Sequence, residues 1–114
     1  MIDMWISFGE GFLLVFTIDN KESFENIKIK RDLVLKKKHN KKLPMILVGN
    51  NQELDNKRKV SYKEAKDLAD SWGIEYFETS AKTGFNVKEV FEKLFQEIIA
   101  DKKEKHKNKK CIII

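Results

Sequence analysis

One apolar run that stops abruptly constrains this chain more than anything else in it. Leu43-Pro44-Met45-Ile46-Leu47-Val48-Gly49 gives way at once to Asn50-Asn51-Gln52-Glu53-Leu54. The run is too short for a helix, is bounded by Pro44 and Gly49, and shows no polar alternation. It therefore reads as a strand buried on both faces, as in a parallel sheet covered by helices. Ligands of open α/β sheets sit beyond the carboxyl ends of the strands. The loop from Asn50 to Glu53 is the first place to look for a site.

The flanking segments fit the same architecture. Met1 to Phe8 has no clear period, and Trp5, Ile6 and Phe8 read as the frayed end of a helix. After Gly9 and Gly11, Phe12 to Ile18 is a second strand without alternation. Asn20 is placed to cap a helix entering at Lys21, with Phe24, Ile27, Arg31 and Val34 at helical spacing. Lys36, Lys37 and Lys38 close that helix at the end its dipole favours, and the basic loop up to Pro44 reads as a solvated turn. Lys57 to Val60 is expected to be a loop. Ser61-Tyr62-Lys63-Glu64 then forms a capping box. It opens a helix that buries Ala65, Leu68, Ala69 and Trp72 and ends at Gly73.

Ile74 to Thr79 is a more polar strand, suited to a sheet edge, and Ser80 to Gly84 is a loop. Asn86 is the expected cap of the last helix, in which Val87, Val90, Phe91, Leu94, Phe95 and Ile98 make the strongest amphipathic pattern of the chain. Strand–helix three times over predicts an α/β fold, a three-stranded parallel sheet with three helices and right-handed connections. Phe12 to Ile18 is too apolar for an open edge. Either the strand order puts it in the middle or a neighbouring strand is missing.

A length of 114 residues allows one small domain, and 41% hydrophobic with 36% charged residues is globular. Of the net +5, residues 101–110 hold +4, from six lysines against Asp101 and Glu104. The basicity thus belongs to a flexible tail, 101–114, and not to the body, 1–100. Cys111 is the sole cysteine, which excludes an internal disulfide and suits a reducing compartment. No basic segment followed by an apolar core marks a signal peptide at the N-terminus. The longest apolar run, Phe12 to Phe16, is far too short to span a bilayer.

Five segments in order resemble the Ras-type small GTPases, nearest to the Ras, Rap and Ral members. They are Gly9-Glu10-Gly11-Phe12 running into Leu14-Val15-Phe16, then Ser23-Phe24, then Pro44 to Asn50, then Glu78-Thr79-Ser80-Ala81-Lys82, and Cys111-Ile112-Ile113-Ile114. The resemblance implies part of a P-loop NTPase-type G domain, the part that follows the second switch. It implies guanine binding by Asn50, Asn51, Glu53, Ser80, Ala81 and Lys82. The family reads Asn-Lys-x-Asp where this chain has Asn50-Asn51-Gln52-Glu53. Asn50 would brace the loop, and Glu53 would accept hydrogens from guanine N1 and N2 with a carboxylate one methylene longer. Asn51 lacks the long stem that covers the base. Ala81 would offer its N–H to guanine O6, with Lys82 over the ring.

The sequence contains no G-x-x-x-x-G-K-[ST], no Asp-x-x-Gly after a strand and no water-orienting Gln. The resemblance therefore implies no catalytic or metal-binding residue here, weak or absent GTP/GDP binding, no Mg²⁺, and no GTP hydrolysis by this chain alone.

Cys-aliphatic-aliphatic-X is a prenylation signal. A prenyltransferase is the expected partner at Cys111. An anionic membrane surface is the expected partner of Lys102, Lys103, Lys105, Lys107, Lys109 and Lys110. The implied location is the cytoplasmic face of a membrane, chiefly the plasma membrane, by lipid anchor, and otherwise the cytosol. Nucleic acid is not expected, since residues 101–110 hold no aromatic for base stacking. Two further readings are a non-enzymatic prenylated interaction module and an unstable gene fragment.

Overall fold

The computed structural model describes residues 11–37, 43–102 and 111–113. The readings of Met1 to Phe8, of Lys38 and most of the basic loop, and of Lys103 to Lys110 lie outside these residues. Strand β1 (Gly11–Thr17) leads to helix α1 (Lys21–Lys37), then β2 (Met45–Asn50) and a 3₁₀ segment (Gln52–Lys57). Helix α2 (Tyr62–Trp72), strand β3 (Glu75–Glu78), helix α3 (Val87–Lys102) and a short strand β4 (Cys111–Ile113) complete the order.

The first three strands form the expected parallel sheet, with Leu14 opposite Leu47 and Leu47 opposite Tyr76. The sheet order is β3-β2-β1-β4. The relatively polar β3 is an edge, as its composition requires. The apolar β1 lies between β2 and β4, so it is not an edge strand of this sheet.

Alternation divides each central strand between two cores. Phe12, Leu14, Phe16, Met45 and Leu47 pack with Phe24, Ile27 and Val34 of α1 and Ala65 and Ala69 of α2. Leu13, Ile46 and Val48 pack with Val90, Leu94 and Ile98 of α3. Helices therefore cover both faces, which explains why neither central strand alternates in sequence. Helix α3 approaches β1 so closely that a Cβ on Gly11 would lie 2.6 Å from Ile98 Cδ1.

The helix ends are partly as expected. Asn20 Oδ1 accepts the Ser23 N–H at 3.1 Å and Ser61 Oγ accepts that of Glu64 at 3.0 Å. Gly73, at φ 70°, ends α2 in the left-handed conformation. Only half of the capping box forms, because the Glu64 carboxylate pairs with Lys21 of α1 instead. Asn86 differs more. Its backbone is left-handed at φ 60°, and its side chain donates to the Glu78 carbonyl at 3.0 Å rather than capping α3. Arg31, read within an apolar stripe, lays its guanidinium 4.6 Å from the Trp72 ring centre and so joins α1 to α2.

Candidate functional site

The site is assembled where β2 and β3 end side by side. Gly49 is the last fully buried residue of β2, and a Cβ there would overlap the Tyr76 hydroxyl and sit 3.0 Å from Phe16 Cζ. Glycine leaves room here for the Tyr76 and Phe16 side chains to approach the backbone of β2. Asn50 follows, and its Oδ1 accepts from Thr79 Oγ1 at 3.1 Å and from the Ala81 N–H at 3.2 Å. One side chain thereby ties together the loops after β2 and β3. Backbone bonds reinforce the junction, from the Gln52 N–H to the Thr79 carbonyl and from the Thr79 N–H to the Gly49 carbonyl, each 2.9 Å.

Asn51 turns the chain with φ 68°, a conformation that asparagine tolerates better than most residues. Its Nδ2 lies 3.4 Å from Asp19 Oδ1, at the corresponding end of β1. Glu53 is half-buried beyond it. Hydrogen bonding with the Ser80 hydroxyl first, then with the backbone at Glu53, holds the Glu53 carboxyl below the usual carboxylate range, and the Lys82 charge adds in the same direction. Ser80 Oγ accepts the Thr83 N–H at 3.1 Å and so keeps its own hydrogen to spare. Glu53 Oε1 itself is buried and meets no donor. An ionised carboxylate oxygen in that position is an acceptor without a donor.

Ser80 is fully buried, whereas Ala81 and Lys82 are exposed. The loop folds on itself, with the Ser80 N–H donating to the Phe85 carbonyl at 3.1 Å. Asn50 ends β2, and the other five residues named from the sequence lie in the two adjoining segments that follow β2 and β3. The Ala81 N–H is engaged by Asn50 Oδ1.

A second cluster holds the first in place and was not legible in the sequence. Arg58 forms a fork with Glu78, at 2.8 and 2.7 Å, and also bonds Asp55 Oδ1 at 2.9 Å and the Val60 carbonyl at 3.0 Å. The Tyr76 hydroxyl donates to Glu78 at 2.6 Å. Burial first, then that bond, push the Tyr76 phenol well above its ordinary range, and the pairing with Glu78 raises Arg58 likewise. The expected loop of 57–60 is instead preceded by a 3₁₀ segment that this network fastens to β3. Arg58 and Glu78 are twenty residues apart, and no local period announces such a pair.

Comparison with known proteins agrees with the architecture. The profile of the Ras family matches residues 1–100. The Ras-related protein O-RAL of Diplobatis ommata is 42% identical over 108 residues, covering 94% of this chain and 52% of its own length. The Ras-related protein Ral-B of Rattus norvegicus is 44% identical over 108 residues, with the same coverage of 94% and 52%. The chain spans about half the length of these relatives. A parallel sheet clothed by helices, paired loops at its carboxyl edge and this match across the body agree: the chain belongs to the Ras family of small GTPases.

Proposed function

We propose that this chain recognises the guanine base of GTP and GDP between the loops after β2 and β3, as part of a signalling protein tethered to a membrane. The observation that carries the reading is the buried, donorless Oε1 of Glu53. Guanine presents N1–H and an N2 amino group on one edge, and a carboxylate accepts from both. Adenine presents an acceptor at N1 and would leave the carboxylate unsatisfied. Ser80 and Lys82 keep the carboxyl ionised, and Lys82 is free to lie over the ring. The Ala81 N–H reaches guanine O6 by exchanging its bond to Asn50, which makes that contact nearly neutral in free energy.

A few such contacts at about 1–2 kcal/mol each sum to roughly 4–6 kcal/mol, corresponding to a Kd between millimolar and tens of micromolar. For Mg²⁺ the fit fails. The sequence has no phosphate loop, and among the described residues no three His, Cys, Asp or Glu side chains converge. Hydrolysis by this chain alone is therefore not expected. Calorimetry with GDP tests the reading. A Kd of about one micromolar or tighter overturns the energetics, and equal competition by GMP and AMP overturns the base assignment. Glu53→Gln is expected to lower the preference for GMP over AMP by about tenfold.

Membrane attachment rests on Cys111 and the lysines before it. Transfer from a prenyl diphosphate joins Cys111 Sγ to the allylic carbon, with release of diphosphate and the thiol proton. Each basic residue near an anionic leaflet adds about 1 kcal/mol, so lipid and lysines together anchor where one chain alone is marginal. Among the described residues no helix is long and apolar enough to cross a membrane. Labelling with a prenyl analogue followed by fractionation checks the anchor: Cys111→Ser should lose both label and membrane association. Labelling that persists in the variant places the lipid elsewhere.

A further inference from the structure

The 3₁₀ segment that carries Glu53 has no core of its own. No residue from Gln52 to Lys57 is fully buried, and the backbone leaves helical geometry at Leu54, with φ −96° and ψ 32°. Apolar packing therefore does little to fix where Glu53 sits. Two polar ties flank it instead, and both lead to consecutive residues at the end of β3. Ahead of Glu53, the Gln52 N–H donates to the Thr79 carbonyl at 2.9 Å. Behind it, Arg58 Nε donates to Asp55 Oδ1 at 2.9 Å while the two outer nitrogens of the guanidinium grip Glu78. Glu78 also serves the other loop, since its carbonyl accepts from Asn86 Nδ2 at 3.0 Å. The Lys59 and Val60 N–H groups bond the Ile18 carbonyl at 2.8 and 3.1 Å. Arg58 is thus not needed to keep the segment attached to the body; its side chain sets how the segment leans on β3.

We propose that Arg58 is a positioning residue for base selection, and that its fork with Glu78 sets the place of the Glu53 carboxylate. This inference rests on the guanine reading above. Glutamate has one side-chain torsion more than the family's aspartate, and Glu53 Oε1 meets no donor that would aim it. Its aim towards the N1–H and N2 edge of the base is inherited from the backbone, and a displacement of about an ångström breaks so directional a contact. Lys82, which lies over either purine, does not depend on that aim. Arg58 therefore governs discrimination between bases more than affinity for them.

Titrations of the full chain with GMP and with AMP test it, followed by amide chemical shifts, on the parent, Arg58→Ala, Glu53→Gln and the double variant. Arg58→Ala is expected to lower the preference for GMP by about tenfold, to the level of Glu53→Gln. In the Glu53→Gln background, Arg58→Ala should change the preference no further, because both substitutions remove the same contact. A preference that Arg58→Ala leaves intact, with both affinities falling together, overturns the inference, since Arg58 would then be scaffold alone. A further fall in the double variant overturns the route through Glu53. Where Arg58→Ala does not fold, Arg58→Lys decides: it keeps a charge beside Glu78 but not the fork, and the preference should fall about threefold. An unchanged preference in Arg58→Lys then overturns the inference. Equal binding of GMP and AMP by the parent overturns the guanine reading and this inference with it, whereas a parent preference that survives in the Arg58 variants overturns this inference alone.

Discussion

Glu97 and Glu53 show how differently two carboxylates can be treated within one small body. Glu97, on α3, is raised above its ordinary pKa chiefly by burial, with Glu75 of β3 adding and Lys93 opposing. A raised folded-state value means that the fold favours the protonated acid. The stabilisation is complete below the unfolded pKa and is lost as pH rises through the folded one. Glu97→Gln, permanently neutral, should therefore be more stable than the parent at pH 7 by urea denaturation, and the difference should close below about pH 4. Glu53 runs the other way: its contribution is present above the unfolded value and is lost as the solution is acidified. Little of this could be read from the sequence. Glu97 falls among charges of an ordinary amphipathic helix, and its neighbour Glu75 is distant in the chain. Asn50, to which the resemblance gives a bracing role, accepts two hydrogen bonds from the segment after β3.

The segments that could be read were those whose own periodicity decides them. The strands and helices follow from apolar runs and 3.6-residue stripes, since each must bury one face or both. The departures arise where a distant partner outbids the local preference. Glu64 leaves its capping box for Lys21, Asn86 leaves a cap for the Glu78 carbonyl, and residues 52–57 wind into a 3₁₀ turn held by Arg58. That last attachment is strong, for the Arg58 and Glu78 side chains retain only 19% and 10% exposure. Arg58→Ala would strand the Glu78 carboxylate in a mostly buried position and leave Tyr76 as its remaining partner. The expected cost is about 3 kcal/mol of global stability. Freed from β3, residues 52–58 should also exchange their amides faster than α2 does, a local effect measurable by hydrogen exchange. A loss below about 1 kcal/mol would mean that Glu78 regains solvent and that the loop is held by its backbone bonds instead.

At the scale of the whole molecule, the two cores are not separable, because they share their strands residue by residue. Phe12, Leu14 and Phe16 serve the layer of α1 and α2 while Leu13, between them, serves the layer of α3. Removing either layer would expose one side of the same backbone, so neither should melt alone. Ile98 offers the test. It is fully buried in the α3 layer and lies against Gly11 at the start of β1. Ile98→Ala leaves a cavity beside a glycine that has no side chain to fill it, and about 2–5 kcal/mol should be lost. Trp72 reports from the opposite layer, where it packs beneath Arg31. With Trp5 replaced by Phe to leave one indole, Trp72 fluorescence and far-ultraviolet dichroism should shift to lower urea by the same amount and stay coincident. A Trp72 transition that holds its midpoint while helical signal is lost earlier would show the α3 layer peeling away from a sheet that survives without it. The alternate burial along β1 would then not couple the two faces.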